Sequence, residues 1–155
     1  MIATSTHMNK QEILLHIRDV LRRKQEELQH QINDLADGIA NDTKSSAGDK
    51  YETARSMSQQ EMDKLSVQLQ EVQRQTARIP QLEAVIQTEN VVSGALVETD
   101  NGLFYLGLPL GMLTICDRSV FCISPSAPLA AAMLGKKSQE IVTFNGRSIK
   151  ILEVN

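Results

Sequence analysis

Leucines at strict seven-residue intervals are the feature of this chain that most restricts its fold. A stripe with about two apolar positions per seven residues is the seam of a coiled coil, because seven residues complete about two turns of α-helix. The first part of the chain is therefore predicted to be a helix that buries this stripe against a partner helix. The stripe consists of Leu14, Ile17, Leu21, Leu28, Ile32, Leu35 and Ile39.

A second apolar stripe follows after a polar interval. The interval from Gly38 to Gly48 has a glycine at each end, which predicts a turn. Two arms of nearly equal length around one short turn predict an antiparallel helical hairpin, since each stripe alone is too narrow to stabilise an isolated helix. A parallel dimer of one long helix is the alternative. The second stripe consists of Tyr51, Met62, Leu65, Leu69, Val72 and Ile79.

The sequence changes character at Ile79-Pro80. Six of the eight glycines and all four prolines lie from this point onward. We therefore predict two domains: a coiled-coil hairpin over residues 1–79, with its tip near 42–52, and a globular domain over residues 80–155.

The globular half has the pattern of short strands. Residues 91–98 and 103–106 are strand-like, and Asn145-Gly146 joins two further strands in the manner of a type I′ hairpin. Residues 128–134 begin with proline and precede a glycine, which predicts a short helix. The predicted fold class is α+β: a helical hairpin followed by a small antiparallel sheet domain with one short helix.

Composition excludes several classes of function. The net charge of −3 argues against binding nucleic acid through overall charge, and no run reaches the roughly 20 apolar residues of a membrane span. The chain lacks phosphate-loop, dinucleotide-binding and Cys-x-x-Cys motifs, so a freestanding enzyme is not expected. Cys116 and Cys122 lack metal-ligand spacing, and we expect both to be buried small apolar residues in a reduced, cytoplasmic protein.

Two acidic residues at the predicted tip are the main candidates for chemistry. Asp49 and Glu52 are three residues apart and share one face of a helix. One interpretation is a capping box that stabilises the start of the second helix. The other is a pair of hard oxygen ligands for Mg²⁺ or Mn²⁺, with a partner supplying the remaining ligands.

A basic stretch precedes the tip along the first arm. A run of this kind is usually a solvated helix face, and the alternative is a contact with a phosphate or an acidic partner. The residues are Arg18, Arg22, Arg23 and Lys24.

Two segments resemble the Gre family of bacterial transcript cleavage factors. The tip segment 48–54, Gly-Asp-Lys-Tyr-Glu-Thr-Ala, is similar to the family motif Gly-Asp-x-x-Glu-Asn-Ala. Segment 123–130, with Leu-Gly-Lys at 134–136, is similar to the entry and exit of the family's C-terminal helix, and the closing strand 149–154 also fits. The resemblance implies an N-terminal coiled-coil hairpin followed by an FKBP-like domain.

The resemblance also implies a function. A Gre factor docks its globular domain at the rim of the RNA polymerase secondary channel and passes its hairpin toward the active site. By position, Asp49 and Glu52 would help hold the second catalytic Mg²⁺ of the polymerase, which hydrolyses the 3′ end of backtracked RNA. On this expectation the polymerase is the enzyme, and this chain binds no metal tightly by itself. The candidate partner-binding residues are Ser124, Pro125, Ser126 and Pro128.

Two positions depart from the family pattern. The family has Asn where this chain has Thr53, and often an acidic residue where this chain has Arg55. Two alternatives to cleavage stimulation therefore stay open: an inhibitor that binds the same channel, and a coiled-coil interaction module whose tip acids only cap a helix. The oligomeric state is open as well.

Overall fold

The computed structural model describes residues 8–42 and 48–155, with the backbone alone at residues 42 and 48–51. Two long helices come first, and strands with one short helix follow, which confirms the predicted α+β class. The elements are α1 (Lys10–Asp42), α2 (Gly48–Glu83), β1 (Leu96–Thr99), β2 (Gly102–Leu106), β3 (Gly111–Ile115), β4 (Arg118–Ile123), α3 (Pro128–Met133), β5 (Ile141–Phe144) and β6 (Arg147–Val154).

The chain divides into two compact units, and both long helices contribute to each. The helical unit is Ile17–Ala77, and the sheet unit comprises, within the described residues, 8–16 and 78–155. The change of composition at residues 79 and 80 falls inside α2, which continues through Pro80 to Glu83. Proline removes one backbone hydrogen bond from a helix interior, and here the helix accommodates that loss.

The helical unit is the predicted hairpin. Its seam residues Ile17, Leu21, Leu65 and Val72 are buried. The other described stripe residues of this unit are only half-buried: Leu28, Ile32, Leu35, Ile39, Met62 and Leu69. The first helix is longer than predicted, because it passes through Gly38 and ends at Asp42. A glycine in a helix interior costs only about 1 kcal/mol relative to alanine, so it does not by itself end a helix. The rest of the predicted turn, residues 43–47, lies outside the described residues.

The strands form a six-stranded sheet in the order β3-β4-β2-β1-β6-β5. The β2–β4 pair is parallel, whereas the other strand pairs within the described residues are antiparallel. Strand β6 lies between β1 and β5. Its first half, residues 147–150, pairs with β5, and its second half, residues 151–154, pairs with β1. The sheet is thus mostly antiparallel, with β4 joined to the centre through the parallel pair.

Both faces of the central strands are buried. One face carries the main apolar cluster, in which Phe104 and Leu106 pack with Ala130 and Met133 of α3. On the opposite face, cross-strand register places Tyr105 beside Leu96 and Cys122, and all three side chains are buried. Two-sided burial explains why β2 is almost continuously apolar rather than alternating.

Strand hairpins were predicted where the turn residues have a recognisable sequence signature and were missed where they do not. Asn145 and Gly146 have φ of 51° and 74°, which confirms the type I′ turn between β5 and β6. The β3–β4 hairpin was not predicted, because its two turn residues, Cys116 and Asp117, also adopt positive φ without the usual Asn-Gly signature. The predicted strand over residues 91–98 is wrong at its start: β1 begins only at Leu96, after a turn in which Gly94 has φ of 93°.

Candidate functional site

The acidic pair lies at the beginning of α2. This helix starts at Gly48, so the backbones of Asp49 and Glu52 belong to its first turns and are three residues apart on one face. The Glu52 side chain is exposed. The side chain of Asp49, and with it the predicted capping hydrogen bonds, lies outside the described residues. A carboxylate at this end of a helix is stabilised by the positive end of the helix dipole.

The end of α1 is acidic as well. No Lys or Arg occurs between Gln25 and Asp42, and the last turn of the helix holds no basic residue. Asp34 and Asp37, which lie more than one turn before the end of the helix, are exposed. The Asp34 carboxylate lies close to His30, with 3.3 Å between Oδ2 and Nε2. The described end of α1 therefore presents exposed carboxylates to solvent and no basic side chain.

Arg22 and Arg23 of the basic stretch are paired within their own helix. Asp19 accepts hydrogen bonds from Arg22 at 2.6 Å and contacts Arg23 at 2.9 Å, and Glu26 lies 3.1 Å from Arg22. The bonds to Asp19 and then Glu26 raise the pKa of Arg22 above its ordinary value. Both arginines are more than half exposed, so these are surface pairs of small energetic effect. This arrangement fits the interpretation of a solvated helix face.

The predicted partner-binding segment forms a tight turn before α3. Ser124 Oγ lies 2.8 Å from Ser126 Oγ and accepts a bond from the Ser126 amide, while the Ala127 amide donates to the Ser124 carbonyl oxygen. Pro128 then begins the helix, as predicted. Ser126 and Pro128 are exposed, so part of the segment is available for contact. This turn belongs to the sheet unit, and Asp49 and Glu52 belong to the helical unit.

A buried lysine is the residue that sequence reasoning missed. Lys10 is 9% exposed, and its Nζ donates to the carbonyl oxygens of Val85 at 2.8 Å and Gly94 at 3.4 Å. Burial lowers the pKa of Lys10 below its ordinary value of 10.5. A lysine at the first position of an amphipathic helix has no sequence signature of burial, because its acceptors come from a segment far along the chain.

The two cysteines differ, and one prediction about them is wrong. Cys122 is buried in β4, and burial raises the pKa of its thiol to about 12, so it behaves as the predicted small apolar residue. Cys116 is exposed, because it lies in the tight turn between β3 and β4. Next to Cys122, Tyr105 has a raised pKa, first through burial and then through Cys122 and Glu83. Its hydroxyl finds no hydrogen-bond partner within the described part of the chain.

The described side chains contain no group of three or more His, Cys, Asp or Glu placed to hold a metal ion. Asp49 is not among those side chains. Two carboxylates are in any case fewer ligands than the six oxygens that Mg²⁺ prefers, so the pair fits a metal only as part of a shared site. None of the described helices is long and apolar enough to cross a membrane.

Compared with known proteins, the sequence matches no protein-family model and no curated protein.

Proposed function

We propose that this protein is a transcription elongation factor of the Gre type, which binds the secondary channel of RNA polymerase. In this proposal Asp49 and Glu52 contribute carboxylates to a magnesium site that the polymerase completes, and the polymerase hydrolyses the 3′ end of backtracked RNA. The protein by itself catalyses no reaction.

The order of elements is one support for this proposal. A Gre-like chain requires a long N-terminal helical hairpin and then a small sheet domain with one short helix, which is the order observed. The first helix has 33 residues, which at about 1.5 Å per residue gives a length of roughly 50 Å. A helix of that length suits insertion into a deep channel.

The observation that carries the proposal is the position of the acidic pair. The beginning of α2 is the end of the helix next to the connection between the two arms, so an inserted hairpin would present it first. Glu52 is exposed there, as are Asp34 and Asp37, and residues 34–52 carry five acidic and two basic side chains, which leaves this end net negative. Such a field attracts a divalent cation held by a partner and is weakened by salt.

The donor chemistry fits a shared Mg²⁺ site. When bound between the two proteins, the ion would polarise phosphate oxygens and generate a nucleophilic hydroxide, as metal ions do in phosphodiester hydrolysis. The residues of this chain would supply negative charge and hold a water by accepting its hydrogen bonds. The three-residue spacing places Asp49 and Glu52 on one face of the helix.

The first experiment is a cleavage assay on stalled RNA polymerase complexes. Asp49→Asn and Glu52→Gln each remove one negative charge from the tip, and Glu61→Gln, an exposed acid elsewhere in α2, is the matched control. We expect cleavage to fall by about 10- to 100-fold for the tip variants, the size of effect seen when a metal site loses support. Asparagine caps a helix about as well as aspartate, so the melting temperature of Asp49→Asn should change little.

Binding and cleavage must be measured together. Capture of core polymerase by wild type and both tip variants, with cleavage lost only in the variants, supports the proposal. Equal cleavage by all four proteins would exclude a role for the carboxylates. Binding without stimulation by any of them would instead indicate a channel-binding inhibitor, an alternative that exposed Arg55 favours because it places a positive charge three residues from Glu52. If the protein does not bind polymerase, the proposal is wrong and the coiled-coil interaction module is the remaining interpretation.

A further inference from the structure

The sheet unit contains two Asn-Gly pairs, and both lie at hairpin turns. One is Asn101-Gly102 between β1 and β2, and the other is Asn145-Gly146 between β5 and β6. Asparagine followed by glycine is chemically labile, because a residue without Cβ leaves the next backbone nitrogen free to approach the asparagine side chain. Both asparagines are exposed, and a Cβ at either glycine would meet nothing within 4 Å. Steric access therefore does not distinguish the two sites.

The two Asn-Gly sites differ in the hydrogen bonding of the glycine N–H group. In the β1–β2 hairpin Thr99 pairs with Gly102, so Gly102 is the fourth residue of the turn, whose N–H points toward the carbonyl of the first. In the β5–β6 hairpin Phe144 pairs with Arg147, so Gly146 is only the third residue of its turn. Within the described residues the Gly146 N–H donates no hydrogen bond to the backbone.

The Thr99 hydroxyl strengthens the contrast. Its Oγ1 donates a hydrogen bond to the Gly102 carbonyl oxygen at 2.8 Å and accepts one from the backbone N–H of Asn101 at 3.0 Å. Thr99 is 4% exposed. The neighbouring Asp100 is also fixed, since its carboxylate accepts a bond from the Lys150 amide at 3.0 Å. The β1–β2 turn is therefore held by hydrogen bonds on both sides of Asn101, whereas the described residues offer no comparable side-chain bond at Asn145.

We propose that Asn145 is a site of spontaneous covalent modification, and that Thr99 protects Asn101 from the same reaction. The Gly146 backbone nitrogen, after losing its proton, attacks Cγ of Asn145. A C–N bond forms, the bond from Cγ to the side-chain nitrogen breaks, and ammonia leaves with the proton, which gives a cyclic succinimide. Water then opens the ring at either carbonyl, so the products are aspartate and isoaspartate, and the net reaction consumes one water and releases one ammonia.

The products would alter the hairpin. Aspartate adds a negative charge two residues before Arg147. Isoaspartate adds a methylene group to the main chain of a two-residue turn, whose closing pair fixes the register of β5 against β6. Because β5 is an edge strand held in the sheet by β6, a lengthened turn should loosen β5 first.

The test is peptide mapping of the full-length wild-type protein during incubation at neutral and mildly alkaline pH. Mass spectrometry follows the replacement of NH₂ by OH at each site, and isoaspartate is detected by enzymatic methylation. We expect residue 145 to convert several-fold faster than residue 101 in the folded protein. In concentrated urea the two sites should convert at similar rates, since both are then unstructured Asn-Gly pairs.

Two variants sharpen the test. Asn145→Gly keeps a residue suited to positive φ and removes the reactive amide, so modification of that peptide should cease. Thr99→Val removes the hydroxyl at nearly constant volume, so conversion of Asn101 should rise while Asn145 is unaffected. Equal or faster conversion of Asn101 in the folded wild type would overturn the proposal, and so would a rate difference that persists in urea.

Discussion

Lys10 Nζ donates a hydrogen bond to the carbonyl oxygen of Val85 over 2.8 Å, across 75 positions of sequence. A lysine in the first turn of α1 is unfavourable for the dipole of its own helix. Val85, however, lies two residues beyond the end of α2, so the ammonium satisfies a carbonyl near the C-terminus of the other helix. The same ammonium group also donates to the carbonyl oxygen of Gly94, in the segment that precedes β1. One side chain thus links three segments of the sheet unit.

Replacing this lysine should destabilise the protein. Lys10→Met keeps most of the aliphatic stem but leaves two carbonyl oxygens without their donor. We expect the free energy of unfolding to fall by about 1–3 kcal/mol, the usual cost of a buried polar group that loses its partner. Urea unfolding measures this change, with the exposed Lys24→Met as the control, expected to lie within about 0.5 kcal/mol of wild type. Equal midpoints for both variants would contradict a stabilising role.

The lowered pKa of Lys10 makes a prediction about pH. Between the folded-state pKa and the ordinary value of 10.5, the unfolded chain binds more protons at this residue than the folded chain. The free energy of unfolding contributed by Lys10 therefore rises with pH across this window and levels off above it. The measurement is the stability difference between wild type and Lys10→Met at several alkaline pH values. A difference that narrows as pH increases would show that the folded-state pKa is not lowered.

Two glycines should respond in opposite directions to the same substitution. A Cβ at buried Gly107 would lie 3.0 Å from Leu82 Cδ1 and 3.1 Å from Tyr105 Cε2, and both neighbours are buried. Gly107→Ala should destabilise the protein by about 1–3 kcal/mol through overpacking. Gly38 lies inside α1 with nothing within 4 Å, so Gly38→Ala should stabilise it by about 0.5–1 kcal/mol. Thermal unfolding of both variants tests the two signs together, and a destabilised Gly38→Ala would contradict the helix at this position.

The two cysteines should react at very different rates. Alkylation proceeds through the thiolate, and burial both shields Cys122 and raises the pKa of its thiol to about 12. In the folded protein we expect an alkylating reagent to modify exposed Cys116 alone, and Cys122 to react only after unfolding in urea. Mass spectrometry of the two peptides measures this. Equal labelling under native conditions would show that β4 opens readily to solvent.

The elements that the sequence predicted are those with local physical causes. The seven-residue leucine spacing predicted the first helix of the hairpin, and a second apolar stripe predicted the other, because pairing must bury both stripes. Asn145-Gly146 predicted the β5–β6 turn, because both residues tolerate positive φ. Cys116 and Asp117 adopt positive φ although they are not an Asn-Gly pair, so the hairpin between β3 and β4 was not predicted. The carboxylates at Asp49 and Glu52 were found as a motif, and their roles stay predictions.

What the sequence determined by itself is periodicity and turn chemistry, since helix seams and tight turns depend on residues a few positions apart. The tertiary structure alone decided the parallel pairing of β2 with β4, the extension of α2 past Pro80, and the burial of Lys10 against Val85. Each of these depends on groups distant along the chain that meet only after folding. Local conformational preference cannot specify these tertiary contacts, because the free energy that stabilises them comes from burial and hydrogen bonding in the assembled core.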